Sequence, residues 1–363
     1  MNATVFVEVV PSTNPLKEGQ RKKLLEDPGF GKVFSDHMAV ARWSQDKGWH
    51  KAQIVARAPF QLDPASAVLH YGQEIFEGLK AYRGKDGRIL LFRPEANARR
   101  FARSAERLAM PELPEQLFLD CVKELARIDA AWISQGDDAS LYLRPFMFAN
   151  EAFLGVRPSR EYIFCVIASP SGAYFKGEGK PVTIWVETEL SRAAPGGTGA
   201  AKCGGNYAAS LEAQAKATKN GCDQVAFLDV VERRWVEELG GMNIFFVLDG
   251  KTLVTPPLKG TILPGITRDS LLVLAKEAGL NVEERGYSFD EWRADAASGR
   301  LSEVFACGTA AVITAVGQVR YQGGEFTVAD GKAGEVTRKL REQLIRLQRG
   351  ETNDSHGWVS VVA

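Results

Sequence analysis

One lysine, Lys202, sits in a run built mostly from small residues: Pro195-Gly196-Gly197-Thr198-Gly199-Ala200-Ala201-Lys202-Cys203-Gly204-Gly205-Asn206-Tyr207. Small neighbours let a rigid, flat ligand come close to the backbone and to the amine. A lysine that is desolvated, or that has a second cation beside it, gives up its proton more readily and becomes a nucleophile toward carbonyls. The chemistry this suggests is a Schiff base between Lys202 and pyridoxal phosphate. The same run is compatible with a mobile surface loop. A phosphate-cradling P-loop is excluded, because Ala201 and Cys203 stand where a glycine and a Ser or Thr are required. No G-x-G-x-x-G dinucleotide fingerprint follows a strand here.

Such a cofactor needs three further things: a carboxylate for its pyridine nitrogen, an anion site for its phosphate, and a cation for the substrate carboxylate. Glu238 ends a strand-like run just before Gly240-Gly241 and can serve the first need, or be a surface turn residue. Pro264-Gly265 feeds a helix whose free N–H groups suit an anion, although a plain helix cap reads the same way. Five arginines, Arg93, Arg99, Arg100, Arg103 and Arg107, crowd the helix after Pro94, and one turned inward can bind phosphate with two parallel hydrogen bonds. Tyr142 and Arg144 lie two apart on an apolar strand and so share a face, as a structural ion pair or as a carboxylate clamp. Phe30 between two glycines, Tyr71, Phe76 and Tyr174 can line a pocket or fill core. Cys307-Gly308-Thr309-Ala310-Ala311 follows a short strand and suits close approach of a ligand.

The elements that must hold these residues alternate between strand and helix patterns. Helices are expected over 94–108, 117–133, 206–217, 271–278, 287–297 and 335–349, with a charged one near 17–26. Strands are expected over 33–43, 89–92, 141–148, 162–168, 182–187 and 244–248, with a hairpin over 224–229 and 234–238. Pro145 predicts an edge or irregular position for its strand. The glycine-rich stretch 170–179 reads as a hinge, and Tyr174 lies on it. The expected domains are a smaller N-terminal α/β domain with an extension (1–174), an interdomain loop (175–181), and a larger C-terminal domain carrying the lysine (182–363).

The chain has 363 residues, enough for about two domains, and 45 basic residues balance 45 acidic ones. That balance suggests neither a nucleic acid nor an anionic membrane as partner. Five scattered cysteines without a C-x-x-C pair fit reduced thiols in a cytoplasm, and with only four histidines no metal is expected. No apolar run approaches the ~20 residues of a membrane span. Residues 1–10 read as an arm or edge strand rather than a signal peptide.

Taken in order, these segments resemble one family. They are Phe30-Gly31, His70-Tyr71, Phe76-Glu77-Gly78, Phe92-Arg93-Pro94, Leu141-Tyr142-Leu143-Arg144-Pro145, Gly172-Ala173-Tyr174-Phe175, Lys202 to Tyr207, Glu238 to Asn243, Leu263-Pro264-Gly265 and Gly308-Thr309-Ala310. Nearly the whole chain resembles the fold-type IV aminotransferases that use pyridoxal 5'-phosphate. Within them it is similar to the branched-chain amino acid aminotransferases of the longer, mitochondrial-like subgroup.

The resemblance implies an α/β fold of α+β type with two domains, a homodimer, and amino transfer between L-leucine, L-isoleucine or L-valine and 2-oxoglutarate. It implies Lys202 as Schiff-base lysine and proton shuttle, Glu238 on the pyridine nitrogen and Tyr207 on the ring hydroxyl. Arg100, the N–H groups of Ile266 and Thr267, and Thr309 would hold the phosphate. Tyr142, Arg144 and the Thr309-Ala310 turn would act at the substrate carboxylate, with Phe30, Tyr71, Phe76 and Tyr174 around the side chain. Two departures stand out. Ala311 and Thr314 replace a redox C-x-x-C found in animal members, and Gly241 stands where some relatives have threonine. The rivals are a D-amino acid aminotransferase or aminodeoxychorismate lyase of the same fold, and a cofactor-binding protein without catalysis.

Overall fold

The computed structural model describes residues 5–133, 139–172 and 180–362. Tyr174, Gly136 and most of the expected interdomain loop lie outside the described residues. The chain forms two compact units. The first comprises Met1–Tyr174, Ala201–Gly204 and Arg346–Ala363, and the second Phe175–Ala200 and Gly205–Ile345. Lys202 therefore belongs to the first unit, although most of the second half of the chain belongs to the second.

The first unit contains strands β1 (Glu8–Val9), β2 (His37–Ser44), β3 (Gly48–Ala56), β4 (Glu74–Phe76), β5 (Leu79–Arg83), β6 (Ile89–Phe92), β7 (Ser140–Ala149) and β8 (Glu161–Ser171), with the terminal strand Val359–Val361. They form one sheet in the order β1-β3-β2-β8-β7-β5-β6-terminal strand, with β4 also paired to β7. The N-terminal arm thus ends as a short edge strand, parallel to β3. Helices α1 (Glu18–Glu26), α2 (Ala67–Tyr71), α3 (Pro94–Arg107) and α4 (Glu115–Ile128) complete the unit. Pro94 opens α3, where its missing N–H costs nothing. The apolar stripes of α3 and α4 are buried, and Phe101, Phe118 and Phe164 meet at centroid distances of 5.5–6.0 Å. Burying each such ring contributes about 2 kcal/mol or more.

β7 is central, between β8 and β5, so of the two positions expected for Pro145 the edge is corrected and the irregular one is found. The reason is local. Pro145 O accepts from Glu77 N–H at 2.7 Å, which puts the missing Pro145 N–H on the same side. There β4 has ended at Phe76 and β5 begins at Leu79, so the proline falls opposite a break in its neighbour.

The second unit contains β9 (Val182–Glu187), β10 (Gln224–Leu228), β11 (Val236–Leu239), β12 (Asn243–Leu248), β13 (Thr252–Thr255), β14 (Asn281–Glu284), β15 (Leu301–Gly308), β16 (Val312–Tyr321) and β17 (Gly324–Thr327). Their order is β11-β10-β9-β16-β15-β12-β13-β14, with β17 on β16. Its helices are α5 (Gly204–Ala208), α6 (Leu211–Lys219), α7 (Ile266–Glu277), α8 (Phe289–Ser298) and α9 (Glu335–Gln348), and the unit divisions pass through α5 and α9. The single helix expected over 206–217 is two. The Ser210 hydroxyl donates to Tyr207 O at 2.7 Å and competes with the helical ladder at the join. α7 starts at Ile266, five residues before the expected 271, which brings Ile266 and Thr267 into its first turn.

Candidate active site

In the first unit, α3 decides which arginine turns inward. Its buried residues include Asn97, Arg100, Phe101 and Ser104, at the i, i+3, i+4, i+7 spacing of one helical face. Arg99 points away and pairs with Glu115 at the surface. Arg100 Nε and Nη2 donate to the two oxygens of Glu77, at 2.7 and 2.9 Å. Asn97 Nδ2 donates to Glu77 Oε2 at 2.7 Å. Burial pushes the Glu77 carboxyl up. The charge and hydrogen bonds of Arg100, the Lys202 charge and the Asn97 amide outweigh it and hold Glu77 below its ordinary value.

The backbone of Lys202 is held from both sides. Its N–H donates to Ser104 Oγ at 3.0 Å, and its C=O accepts from Phe76 N–H at 2.9 Å. Lys202 Nζ lies 4.7 Å from the centre of the Phe76 ring. Arg144 Cζ lies 4.9 Å from the same ring. Arg144 Nη2 donates to Tyr142 OH at 3.1 Å, and Phe30 packs edge-on to Tyr142 at 5.0 Å. Gly78 leaves room for that phenol, since a Cβ there would overlap Tyr142 OH. Among the described residues, no carboxylate lies within ion-pair distance of Arg144, and its buried Nε has no hydrogen-bond partner. A guanidinium held this way is matched to an incoming carboxylate.

The structure therefore brings Phe30, Phe76, Arg100, Tyr142, Arg144 and Lys202 into one neighbourhood. It does not place Tyr71 there. α2 ends at Gly72 in the left-handed conformation, and Tyr71 is turned to an exposed position over Phe153, 6.4 Å between centroids.

In the second unit, Glu238 is buried rather than a surface turn residue. Arg192 forms an ion pair with its Oε1, Leu263 N–H donates to Oε1 at 2.9 Å, and Asn243 Nδ2 lies 3.3 Å from Oε2. Arg192 also donates to Gly199 O at 3.2 Å and Thr261 O at 2.6 Å, so one cation ties these second-unit carbonyls to this carboxylate. Asn243 abuts Gly265, where a Cβ would overlap its Oδ1. Gly265 is the N-cap of α7, and no side chain caps the turn that carries the Ile266 and Thr267 amides. Asn243 pairs with Cys307 across β12 and β15, which sets the Thr309-Ala310 turn beside it. A Cβ on Gly308 would sit 3.4 Å from Met242, and one on Gly241 would sit 3.5 Å from the Tyr207 ring. Tyr207, Glu238, Ile266, Thr267 and Thr309 thus form a second neighbourhood.

Each unit by itself carries features that suit a pyridoxal-type cofactor. The second unit offers a helix N-terminus without a side-chain cap for an anion, and a buried carboxylate paired with Arg192. The first offers an amine beside an aromatic ring. Sequence reading missed Glu77, Asn97, Ser104, Arg192 and Asn243. The helical spacing of Asn97, Arg100 and Ser104 was a signal that could have found three residues together; nothing local marks Arg192.

The chain matches the amino-transferase class IV family over residues 74–319. It is 57% identical to the branched-chain-amino-acid aminotransferase of Mycolicibacterium smegmatis, over 97% of each chain. It is 54% identical to the probable branched-chain-amino-acid aminotransferase of Streptomyces coelicolor, over 99% of each chain. Among solved structures, the branched-chain amino acid aminotransferase of Escherichia coli is similar with a TM-score of 0.74 and 31% identity, covering 90% of this chain and 100% of that one. The branched-chain amino acid aminotransferase of Thermobaculum terrenum, solved in its PLP form, has a TM-score of 0.72 and 25% identity, covering 90% of this chain and 98% of that one.

Proposed function

We propose, since this chain belongs to the amino-transferase class IV family and to its branched-chain members, that it transfers the amino group of L-leucine, L-isoleucine or L-valine reversibly to 2-oxoglutarate. The observation that carries the reading is the shared Phe76 ring. Lys202 Nζ and the Arg144 guanidinium, which forms no ion pair among the described residues, both lie against it, at 4.7 and 4.9 Å. An amine, a carboxylate-binding cation and an apolar wall so arranged suit a 2-amino acid with an apolar side chain.

Pyridoxal 5'-phosphate, when bound, supplies the electron sink for the pair left at the α-carbon. Lys202 provides the amine for its aldehyde, Glu238 the anion for its pyridine nitrogen and Tyr207 a hydroxyl for its ring. Arg100, the Ile266 and Thr267 amides and Thr309 take its phosphate. Tyr142, Arg144 and the Thr309-Ala310 turn orient the substrate carboxylate, and Phe30 and Phe76 wall the side chain and exclude water. Lys202 Nζ, once free and neutral, would remove the α-proton and return it two atoms along, at the carbon derived from the cofactor's aldehyde. An arginine or tyrosine at the edge of the pocket also binds the side-chain carboxylate of glutamate, so one site serves both substrates.

We assign a cytoplasmic homodimer to this enzyme. The five free cysteines, all buried, support a reducing compartment. The exposed apolar side chains Leu69, Tyr71, Leu154 and Val156 support association. The test of the function is a visible spectrum of the purified protein. L-leucine is expected to bleach a yellow band and 2-oxoglutarate to restore it. Bleaching by D-alanine and not by L-leucine would replace the substrate assignment.

A further inference from the structure

The lysine loop of the first unit is held at a third point that none of the roles above uses. Gly204 N–H, two residues past Lys202, donates to Glu74 Oε1. A Cβ on Gly204 would overlap the same oxygen, so a side chain there would displace the carboxylate. Glu74 opens β4, whose last residue, Phe76, holds Lys202 O through its own N–H. One short strand thus grips the loop twice, on each side of Cys203. β4 is itself fixed by pairing Glu74 with Phe148 and Phe76 with Phe146 on β7, the strand that carries Arg144.

From this geometry we propose that Glu74 is a positioning residue for the transamination: it fixes the peptide after Lys202 and tempers the charge of Arg144. The inference rests on the function proposed above. Burial pushes the Glu74 carboxyl up, while the Gly204 amide and the Arg144 charge favour its anion. Arg144 is beyond ion-pair distance of Glu74, so the carboxylate weakens its positive field without occupying it.

Two substitutions separate these effects. Glu74→Ala removes the acceptor for Gly204 N–H and the charge beside Arg144. It is expected to lower kcat for L-leucine about tenfold, since small displacements of a reacting group are costly. Glu74→Gln keeps a carbonyl oxygen for Gly204 N–H and removes only the charge. It is expected to restore kcat to within about threefold of the parent while KM falls severalfold, because Arg144 then attracts the substrate carboxylate more strongly. A residue that merely stabilised the fold would give neither the rescue nor the split between kcat and KM.

A second readout uses the cofactor-free protein. Acetylation of Lys202 by acetic anhydride, followed by peptide mass spectrometry, is expected to change severalfold in Glu74→Ala and little in Glu74→Gln, with Lys216 as internal reference. Parent-like kcat and parent-like Lys202 labelling in Glu74→Ala would overturn the proposal. Should Glu74→Ala not fold, an unchanged KM in Glu74→Gln overturns it. A parent protein that fails to transaminate, while its Lys202 labelling still responds to Glu74→Ala, would refute the function and leave the positioning role standing.

Discussion

The Glu77–Arg100 pair offers a quantitative test, because it is at once buried, charged and adjacent to Lys202. Glu77 is fully buried and Arg100 nearly so. Both Glu77 oxygens receive donors: Arg100 reaches each of them, and Asn97 Nδ2 and Gly78 N–H reach Oε2. Replacing Glu77 by Gln keeps the volume but puts an NH2 group against one set of donors, whichever way the amide turns. It also leaves the Arg100 charge without its counter-charge. Breaking a buried ion pair by removing one partner costs about 3–5 kcal/mol. With a urea m-value of about 2–3 kcal/mol per molar, the midpoint of cofactor-free protein should fall by roughly 1–2.5 M, followed by circular dichroism and by fluorescence. Glu77→Leu combined with Arg100→Met removes both charges and should be far less destabilised than the two single changes together. The pH dependence has a definite sign. The folded Glu77 carboxyl lies below its ordinary value of 4.5, so its contribution is present above that value and is lost as pH falls through the folded pKa. Glu77→Gln should remove this part of the acid limb. A double variant whose loss equals the sum of the single losses, within about 0.5 kcal/mol, would refute the claim that the two charges support each other.

Two further substitutions address the proposed roles. Arg144→Met should lower kcat/KM for both L-leucine and 2-oxoglutarate by about 10–100-fold, as expected for loss of a charge-assisted hydrogen bond; steady-state kinetics with parent-like values would remove Arg144 from the substrate site. Arg192→Met should leave Glu238 buried without its cation, and weaken pyridoxal 5'-phosphate binding by an order of magnitude or more. Spectroscopic titration of cofactor into the variant checks this, and parent-like affinity would show that Arg192 does not hold Glu238 for the cofactor.

Several features of the site were legible because they follow from local periodicity. The run of small residues around Lys202 marked it as a place of close approach, and no distant contact was needed to see it. Tyr142 and Arg144 had to share a face because a strand repeats every two residues. The spacing that makes Asn97, Arg100 and Ser104 one face of a helix was present in the chain, even though their targets were not. Other features depended on what stands across from a residue. Pro145 signals an edge or an irregular position, and only the break in its neighbour between Phe76 and Leu79 decides for an irregular one inside the sheet. Glu238 reads locally as a ligand carboxylate or as a surface turn residue, and its burial against Arg192, far off in sequence, excludes the surface turn. Tyr71 and Phe76 belong to one stretch of chain, and only the left-handed turn at Gly72 sends them to different surroundings. Propensity and period are carried by each segment alone, whereas the pairing of buried charges and the breaks in a sheet exist only once distant segments meet. The chemistry-bearing residue types were therefore readable in the sequence, and the groups that hold and charge them were decided by the tertiary structure.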